Sequence, residues 1–199
     1  AKERVGEVVA TIPLRGAKPN GLPANIVILS LDTAGEGVND TTPRAAIGGN
    51  PGTTVGAQRL NALTQAANFW AVKIDSNQDI TLSVNFEPLY CVAPPNPAAG
   101  AVVGSAGPTG FIQLTGSLPE STWFPMALAE STGYLNSNQN AATAEIDASF
   151  NSSLDTDCLG GGSIFYYGYD QNPPSPQVDF TTTFIHEMAH GLGFLTLTD

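Results

Sequence analysis

The chain has 199 residues, of which 42% are hydrophobic and 13% are charged, and its formal net charge is -11. This length suits one ordinary domain with a real core, and the composition excludes collagen, coiled coil and wholesale disorder. There is no run of about 18 apolar residues, which excludes a helix that spans a bilayer.

The charges are distributed unevenly along the chain. Residues 1–73 hold all seven Lys and Arg residues and five acids, whereas residues 74–199 hold thirteen acids and no Lys or Arg. Such an acidic surface repels nucleic-acid backbones and anionic lipid, so we expect neither nucleic acid nor a membrane as a partner. Abundant Gly, Asn, Ser and Thr with scarce Lys are typical of a loop-rich secreted protein, and we expect an extracellular location.

The N-terminal part of the chain predicts one strand and one long helix. We interpret residues 1–23 as an extension; their start, AKERVGEVV, has no apolar signal-peptide core, so any export signal has been removed or was never included. Residues 24–31, ANIVILSL, are an apolar run that predicts a central strand covered on both faces. Residues 55–74 predict an amphipathic helix packed on the sheet, because apolar residues recur there at helical spacing. These residues are Leu60, Leu63, Ala67, Trp70 and Ile74.

The middle of the chain predicts further strands. Residues 78–92 alternate between apolar and polar side chains, which predicts a half-exposed strand. Shorter strand candidates are residues 101–104, 111–114, 144–150 and 163–169. The Pro and Gly content of residues 92–143 indicates an excursion of loops over one face of the sheet.

The chain has two cysteines, Cys91 and Cys158. In an exported protein an even number of cysteines favours pairing, so we expect a disulfide. The alternative is two buried free thiols in a cytosolic protein. A cysteine-based metal site lacks its usual CxxC pairs.

The last segment predicts a helix over about residues 180–192. Prolines precede it, Asp179 is a candidate N-cap, and Gly191 and Gly193 mark its end. This helix carries the sequence HExxH, formed by His186, Glu187 and His190.

The HExxH spacing is suited to a metal ion. At about 100° per residue, His190 lies only about 40° around the axis from His186, and Glu187 points into the same quadrant. An apolar stripe is expected on roughly the opposite arc, formed by Ile185, Met188, Ala189 and Leu192. Two imidazoles at this spacing fit two positions of a tetrahedral zinc ion, and Glu187 can take a proton from the attacking water. The alternatives are two surface histidines one turn apart, or a non-catalytic metal site.

This segment resembles the zincin metallopeptidases, most closely the group that writes HExxHxxG, here His186 to Gly193. The segments ANIVILSLD, GVNDTTPRAAIGGNPGTTVGAQRLNALTQAANFW, AEIDASFNS, FYYGYD and HEMAHGLGF also resemble a family of secreted bacterial zincin-like proteins that often carry a protease-associated domain. The resemblance covers roughly residues 24–195. It implies an α+β fold with a mixed, twisted sheet backed by the long helix, His186 and His190 as zinc ligands, and Glu187 as general base.

One position departs from the metzincin pattern. Three residues after Gly193, where that group has its third ligand, this chain has Thr196. We therefore expect the third ligand outside the 199 residues. Residues 24–199 are then the upper part of a catalytic domain whose lower subdomain is missing, and the isolated chain is expected to be a poor enzyme.

These observations predict a secreted zinc metalloendopeptidase that takes a peptide or protein substrate along an exposed strand edge. The alternative is a catalytically inactive module that self-associates through its strand edges. Calcium is a further candidate ligand, either in the loop with Asp32, Glu36, Asn39 and Asp40 or at Asp155 and Asp157, although acidic turn residues are common without any metal. The tyrosines Tyr166, Tyr167 and Tyr169 could line the cleft or simply pack.

Overall fold

The structure is a computed structural model that describes residues 7–12, 24–76, 78–113, 122–131 and 143–196; of residues 7–12 it describes the backbone. The strands, in chain order, are β1 (Glu7–Ile12), β2 (Asn25–Ser30), β3 (Asp79–Glu87), β4 (Cys91–Val92), β5 (Gly100–Ala101), β6 (Gly104–Pro108), β7 (Phe111–Gln113), β8 (Trp123–Pro125), β9 (Ile146–Asn151), β10 (Phe165–Tyr166) and β11 (Val178–Asp179). The α-helices of the described residues are α1 (Val55–Ala71), α2 (Met126–Ser131) and α3 (Phe180–Gly191).

The main sheet has five strands in the order β1-β2-β3-β9-β6. Strands β2, β3 and β9 are parallel, and the edge strands β1 and β6 are antiparallel to their neighbours. The predicted α+β class with a mixed sheet is therefore confirmed. Residues 7–12 of the predicted N-terminal extension contribute the edge strand β1, and the middle strand is β3 rather than β2.

The prediction that β3 is half-exposed is wrong. Thr81 and Ser83 lie on its polar side and are only 4% and 8% exposed. The polar side chains of this side form hydrogen bonds with the next strand: Ser83 Oγ donates to Asp147 Oδ1 at 2.7 Å, and Ser149 Oγ donates to Asn85 Oδ1 at 2.7 Å. Cross-strand hydrogen bonds make burial of an alternating polar row tolerable.

Helix α1 covers the opposite, apolar side of the sheet. It begins after Thr54, whose hydroxyl caps the helix by accepting the Ala57 N–H at 3.1 Å. Of the residues predicted for its apolar face, Leu63 and Ala67 are fully buried. The helix ends at Ala71, three residues before the predicted end.

Helix α3 packs on α1, β6 and β9. Its buried stripe differs from the predicted one: Met188 is buried as expected, but its companions are Phe180, Phe184 and Gly191, while Ile185, Ala189 and Leu192 are half-buried. The difference arises because four phenylalanines from three elements form one cluster, with Phe150 of β9 stacking edge-on against Phe180 and Phe184 at 5.0 and 5.5 Å. Phe86 of β3 completes it.

The region predicted as loops contains more regular structure than expected. Hairpin β4–β5, edge strand β6, the pair β7–β8 and helix α2 all fall within residues 92–143 or at its edge. Residues 114–121 and 132–142 of that prediction lie outside the described part of the chain. Near the C-terminal end, the predicted strand 163–169 is reduced to the two residues of β10, which pair with β11.

The predicted disulfide between Cys91 and Cys158 is present, with their Cα atoms 6.1 Å apart. It joins hairpin β4–β5 to the segment that follows β9. A bond of this kind persists in oxidising compartments, which agrees with the expected export. Among the described residues, no helix is long and apolar enough to cross a membrane.

Candidate metal site

Helix α3 is held at both ends and at its middle. Asp179 caps its N-terminus as predicted, because a carboxylate oxygen accepts the Thr182 N–H at 2.6 Å. Trp70 Nε1 of α1 donates to the backbone oxygen of Ile185 at 3.1 Å. Near the C-terminus, a Cβ on Gly191 would lie 2.3 Å from Ile146 Cγ2, so only glycine lets the helix approach β9 this closely.

The two histidines lie on the face of α3 that points away from the phenylalanine cluster. His186 is exposed and His190 is half-buried. Their Nε2 atoms are 3.1 Å apart, and the two rings stand nearly perpendicular with centroids 4.7 Å apart. Two nitrogens bound at about 2.0–2.1 Å to one tetrahedral zinc ion are about 3.3 Å apart, so the pair already has the spacing of a bidentate metal site.

The backbone beyond the helix determines which ring nitrogen of His190 carries the hydrogen. Its Nδ1 lies 2.8 Å from the backbone oxygen of Phe194. Since a carbonyl oxygen only accepts hydrogen bonds, the proton lies on Nδ1, and His190 Nε2 accepts the hydrogen bond from His186 Nε2. Metal-binding histidines commonly have such a second hydrogen bond on their other ring nitrogen.

The turn that delivers this oxygen depends on Gly193. Its φ of +111° lies in a region that residues with a side chain rarely adopt. The turn is closed by two hydrogen bonds, from Gly193 N to His190 O at 3.0 Å and from Phe194 N to Ala189 O at 2.9 Å. The glycine of HExxHxxG therefore ends the helix and places the Phe194 carbonyl beside the His190 ring.

Glu187 is half-buried and lies one residue after His186 and three before His190, so it shares their side of the helix. The structure brings the two histidine rings together, and the role of Glu187 stays a prediction from its position on the helix. Among the described residues, no group of three or more His, Cys, Asp or Glu side chains is arranged to hold a metal ion. Thr196, at the metzincin ligand position, is exposed.

The first calcium candidate, the loop after β2, is folded around its own backbone. Asp32 Oδ2 accepts the Val38 N–H at 2.9 Å, and its Oδ1 accepts the Phe86 N–H at 2.8 Å. The Asp40 carboxylate accepts the Thr42 N–H at 2.8 Å. These hydrogen bonds give the loop a structural role.

The second calcium candidate is likewise occupied by protein groups. The Asp155 carboxylate accepts hydrogen bonds from Arg44 and Arg59 at 2.8 and 2.7 Å and from the Tyr167 hydroxyl at 2.6 Å. Burial by itself would lower the pKa of Arg59, but the neighbouring Tyr167 and Asp155 raise it, so the guanidinium stays charged. Asp157 accepts the Gly162 N–H at 3.0 Å. The carboxylates of this second candidate therefore have structural partners within the protein.

The three tyrosines before α3 differ in their surroundings. Tyr166 and Tyr167 are buried, at 4% and 1% exposure, and their hydroxyls donate to Asp170 and Asp155. They pack and do not line a cleft. Tyr169 is half-buried, and burial raises the pKa of its hydroxyl.

Two residues next to the site have no signal in the HExxH pattern itself. Phe194 supplies the backbone oxygen that fixes His190, and Trp70 ties α1 to α3. Gly193, three residues after His190, is a sequence signal for the turn at Phe194, because a glycine at this position marks the end of a helix. The hydrogen bond of Trp70 joins residues that are 115 positions apart, so no local sequence pattern predicts it.

No protein-family model matches the chain, no curated protein matches it, and no solved structure matches it. The relation to the zincins therefore stays a prediction from sequence motifs and histidine geometry.

Proposed function

We propose that this protein is a secreted, zinc-dependent metallopeptidase of zincin-like fold, with His186 and His190 as metal ligands and Glu187 as general base. The observation that supports the proposal most is the 3.1 Å spacing of the two Nε2 atoms, which is close to the separation of two nitrogens on one tetrahedral zinc ion.

In the proposed hydrolysis of a peptide bond, the metal ion and the residues of the chain have different roles. A bound zinc ion would polarise the peptide carbonyl and make a water molecule more acidic. Glu187 would accept the proton of the attacking water at its carboxylate and pass it to the leaving amine. The Phe194 carbonyl keeps the His190 ring in one orientation throughout, because the Nδ1–H stays bonded to it.

The edge strand β6 offers a place for the substrate backbone. In the described sheet it pairs only with β9, and α3 packs beside it. An extended peptide could add to this edge by main-chain hydrogen bonds and pass close to the histidines.

Zinc binding and peptide hydrolysis, measured together on the full-length protein, test the proposal. Calorimetry gives the zinc affinity, and a quenched fluorescent peptide gives the rate. Glu187→Gln should leave zinc affinity unchanged and lower the rate by about 100-fold or more, because the amide cannot take the proton. His190→Ala should lose zinc binding. Glu36→Gln, a change of the same chemistry at an exposed glutamate, is the matched control and should alter neither.

The outcomes are distinct. Full hydrolysis by Glu187→Gln would show that the mechanism is wrong. Hydrolysis that persists in His190→Ala with unchanged zinc affinity would show that the metal lies elsewhere.

A non-catalytic, self-associating module is the second candidate. Two observations favour it: the described residues offer only two convergent metal ligands, and β6 is a free edge within the described sheet. Zinc binding without zinc-dependent hydrolysis in the wild type, combined with concentration-dependent assembly in sedimentation, would support this module over the peptidase.

A further inference from the structure

A small apolar pocket of about 160 Å³ opens beside the end of helix α3. Its walls come from four parts of the fold: Trp70 of α1, Ile80 of β3, Leu128 of α2, and Leu192 and Phe194 after α3. Ile80 is 1% exposed and forms part of the floor, whereas Leu128 and Phe194 are 38% and 70% exposed and form part of the rim. The pocket is therefore open to solvent although its walls are apolar.

The polar groups near the pocket are already bonded within the protein. Trp70 Nε1 donates to Ile185 O, so the indole presents carbon atoms to the pocket. The Ser131 hydroxyl donates to Leu128 O at 2.9 Å. A ligand would gain little by hydrogen bonding here and would gain by burying apolar surface.

Phe194 connects this pocket to the candidate metal site. Its backbone oxygen lies 2.8 Å from His190 Nδ1, and its ring lies over Trp70 with centroids 6.4 Å apart. The same residue therefore contacts the candidate ligand with its backbone and forms the pocket rim with its side chain, which makes the pocket a neighbour of the candidate metal site.

We propose that this pocket binds one apolar side chain of the peptide substrate, of about the size of leucine, and so sets a preference for apolar sequences. The inference rests on the proposed peptidase function. The volume of the pocket suits a single side chain and is too small for a helix or a folded segment.

The test uses the metal-free 199-residue chain, so that pocket binding is measured apart from zinc. The probes are N-acetyl-leucine methylamide and, as comparison, N-acetyl-glycine methylamide. NMR follows the Trp70 indole N–H, with Trp123→Phe to assign it, because the chain has two tryptophans. The leucine compound should shift this resonance saturably, and the glycine compound should not.

Two variants locate the binding. Leu128→Asn should weaken leucine binding about tenfold, because it removes apolar contact at the rim. Val102→Asn is the matched control, at a residue 42% exposed that does not line the pocket, and it should leave binding unchanged. Equal shifts from both compounds, or equal binding by wild type and Leu128→Asn, would overturn the proposal.

The two proposals can fail separately. Zinc-dependent hydrolysis with equal rates on leucine-containing and glycine-containing peptides would overturn the pocket and leave the peptidase. Leucine binding without any zinc-dependent hydrolysis would overturn the peptidase and with it the pocket's role in substrate choice. A dimer that Leu128→Asn dissociates, with no change in leucine binding, would assign this surface to self-association instead.

Discussion

Glu145→Gln removes one of two carboxyl groups that are buried next to each other between α2 and β9. Glu130 and Glu145 are 1% and 4% exposed. Glu145 Oε2 accepts the Thr81 N–H at 2.5 Å. Burial is the main cause that raises the pKa of Glu145 to about 7, and the nearby Glu130 raises it further; burial also raises the pKa of Glu130.

The sign of the effect follows from proton binding. The folded state holds the Glu145 proton up to about pH 7, whereas the unfolded chain loses it near its ordinary value of 4.5. Between these values the folded state binds more protons than the unfolded state, so the free energy of unfolding falls as the pH rises. From the two pKa values the loss between pH 5 and pH 8 is about 2.5 kcal/mol for this group.

Urea unfolding of wild type and Glu145→Gln at pH 5 and pH 8 measures this loss. The glutamine cannot ionise, and its amide oxygen can still accept the Thr81 N–H. The free energy of unfolding of Glu145→Gln, relative to that of wild type, should therefore rise by about 2.5 kcal/mol from pH 5 to pH 8. Glu87→Gln, at an exposed glutamate that ends β3, is the control and should show no such growth. An equal difference between Glu145→Gln and wild type at both pH values would show that the folded state does not hold the Glu145 proton above pH 5.

Three further changes test the fold that positions the site. Replacing Cys91 and Cys158 together by serine should lower the free energy of unfolding by about 4 kcal/mol, because the disulfide closes a long loop in the unfolded chain; a loss below about 1 kcal/mol in urea titration would contradict this. Asp179→Ala should cost about 1 kcal/mol through the lost N-cap, and an unchanged urea midpoint would argue against it. Gly191→Ala should cost about 1–3 kcal/mol because its methyl overlaps a buried side chain of β9, whereas Gly107→Ala, with open space around its Cβ, should cost less.

Local patterns in the sequence predicted much of the structure around the site. The helical spacing of apolar residues and the cap residue Asp179 located α1 and α3 to within three residues. The HExxH spacing placed His186 and His190 on one side of α3, because that geometry belongs to any α-helix.

Contacts between distant residues could not be predicted in the same way. The polar side of β3 reads as exposed in sequence, and only its pairing with β9, more than 60 positions away, shows that Ser83 and Asn85 are bonded to protein. The buried stripe of α3 includes Phe180 and Phe184 because Phe86 of β3 packs on Phe180 and Phe150 of β9 packs on Phe184. Helix α2 has six residues in a Pro- and Gly-rich region, too few for a periodic signal.

Nitrogen-15 NMR of the imidazole rings during a zinc titration tests the central claim, that His186 and His190 form one metal site, most directly. The chain has only these two histidines, so each ring nitrogen can be followed. We expect both Nε2 resonances to change together at one equivalent of zinc, while His190 Nδ1 remains protonated and bonded to the Phe194 oxygen. If the two Nε2 resonances do not move, or if they move independently at different zinc concentrations, the two histidines do not share a metal ion and the account is contradicted.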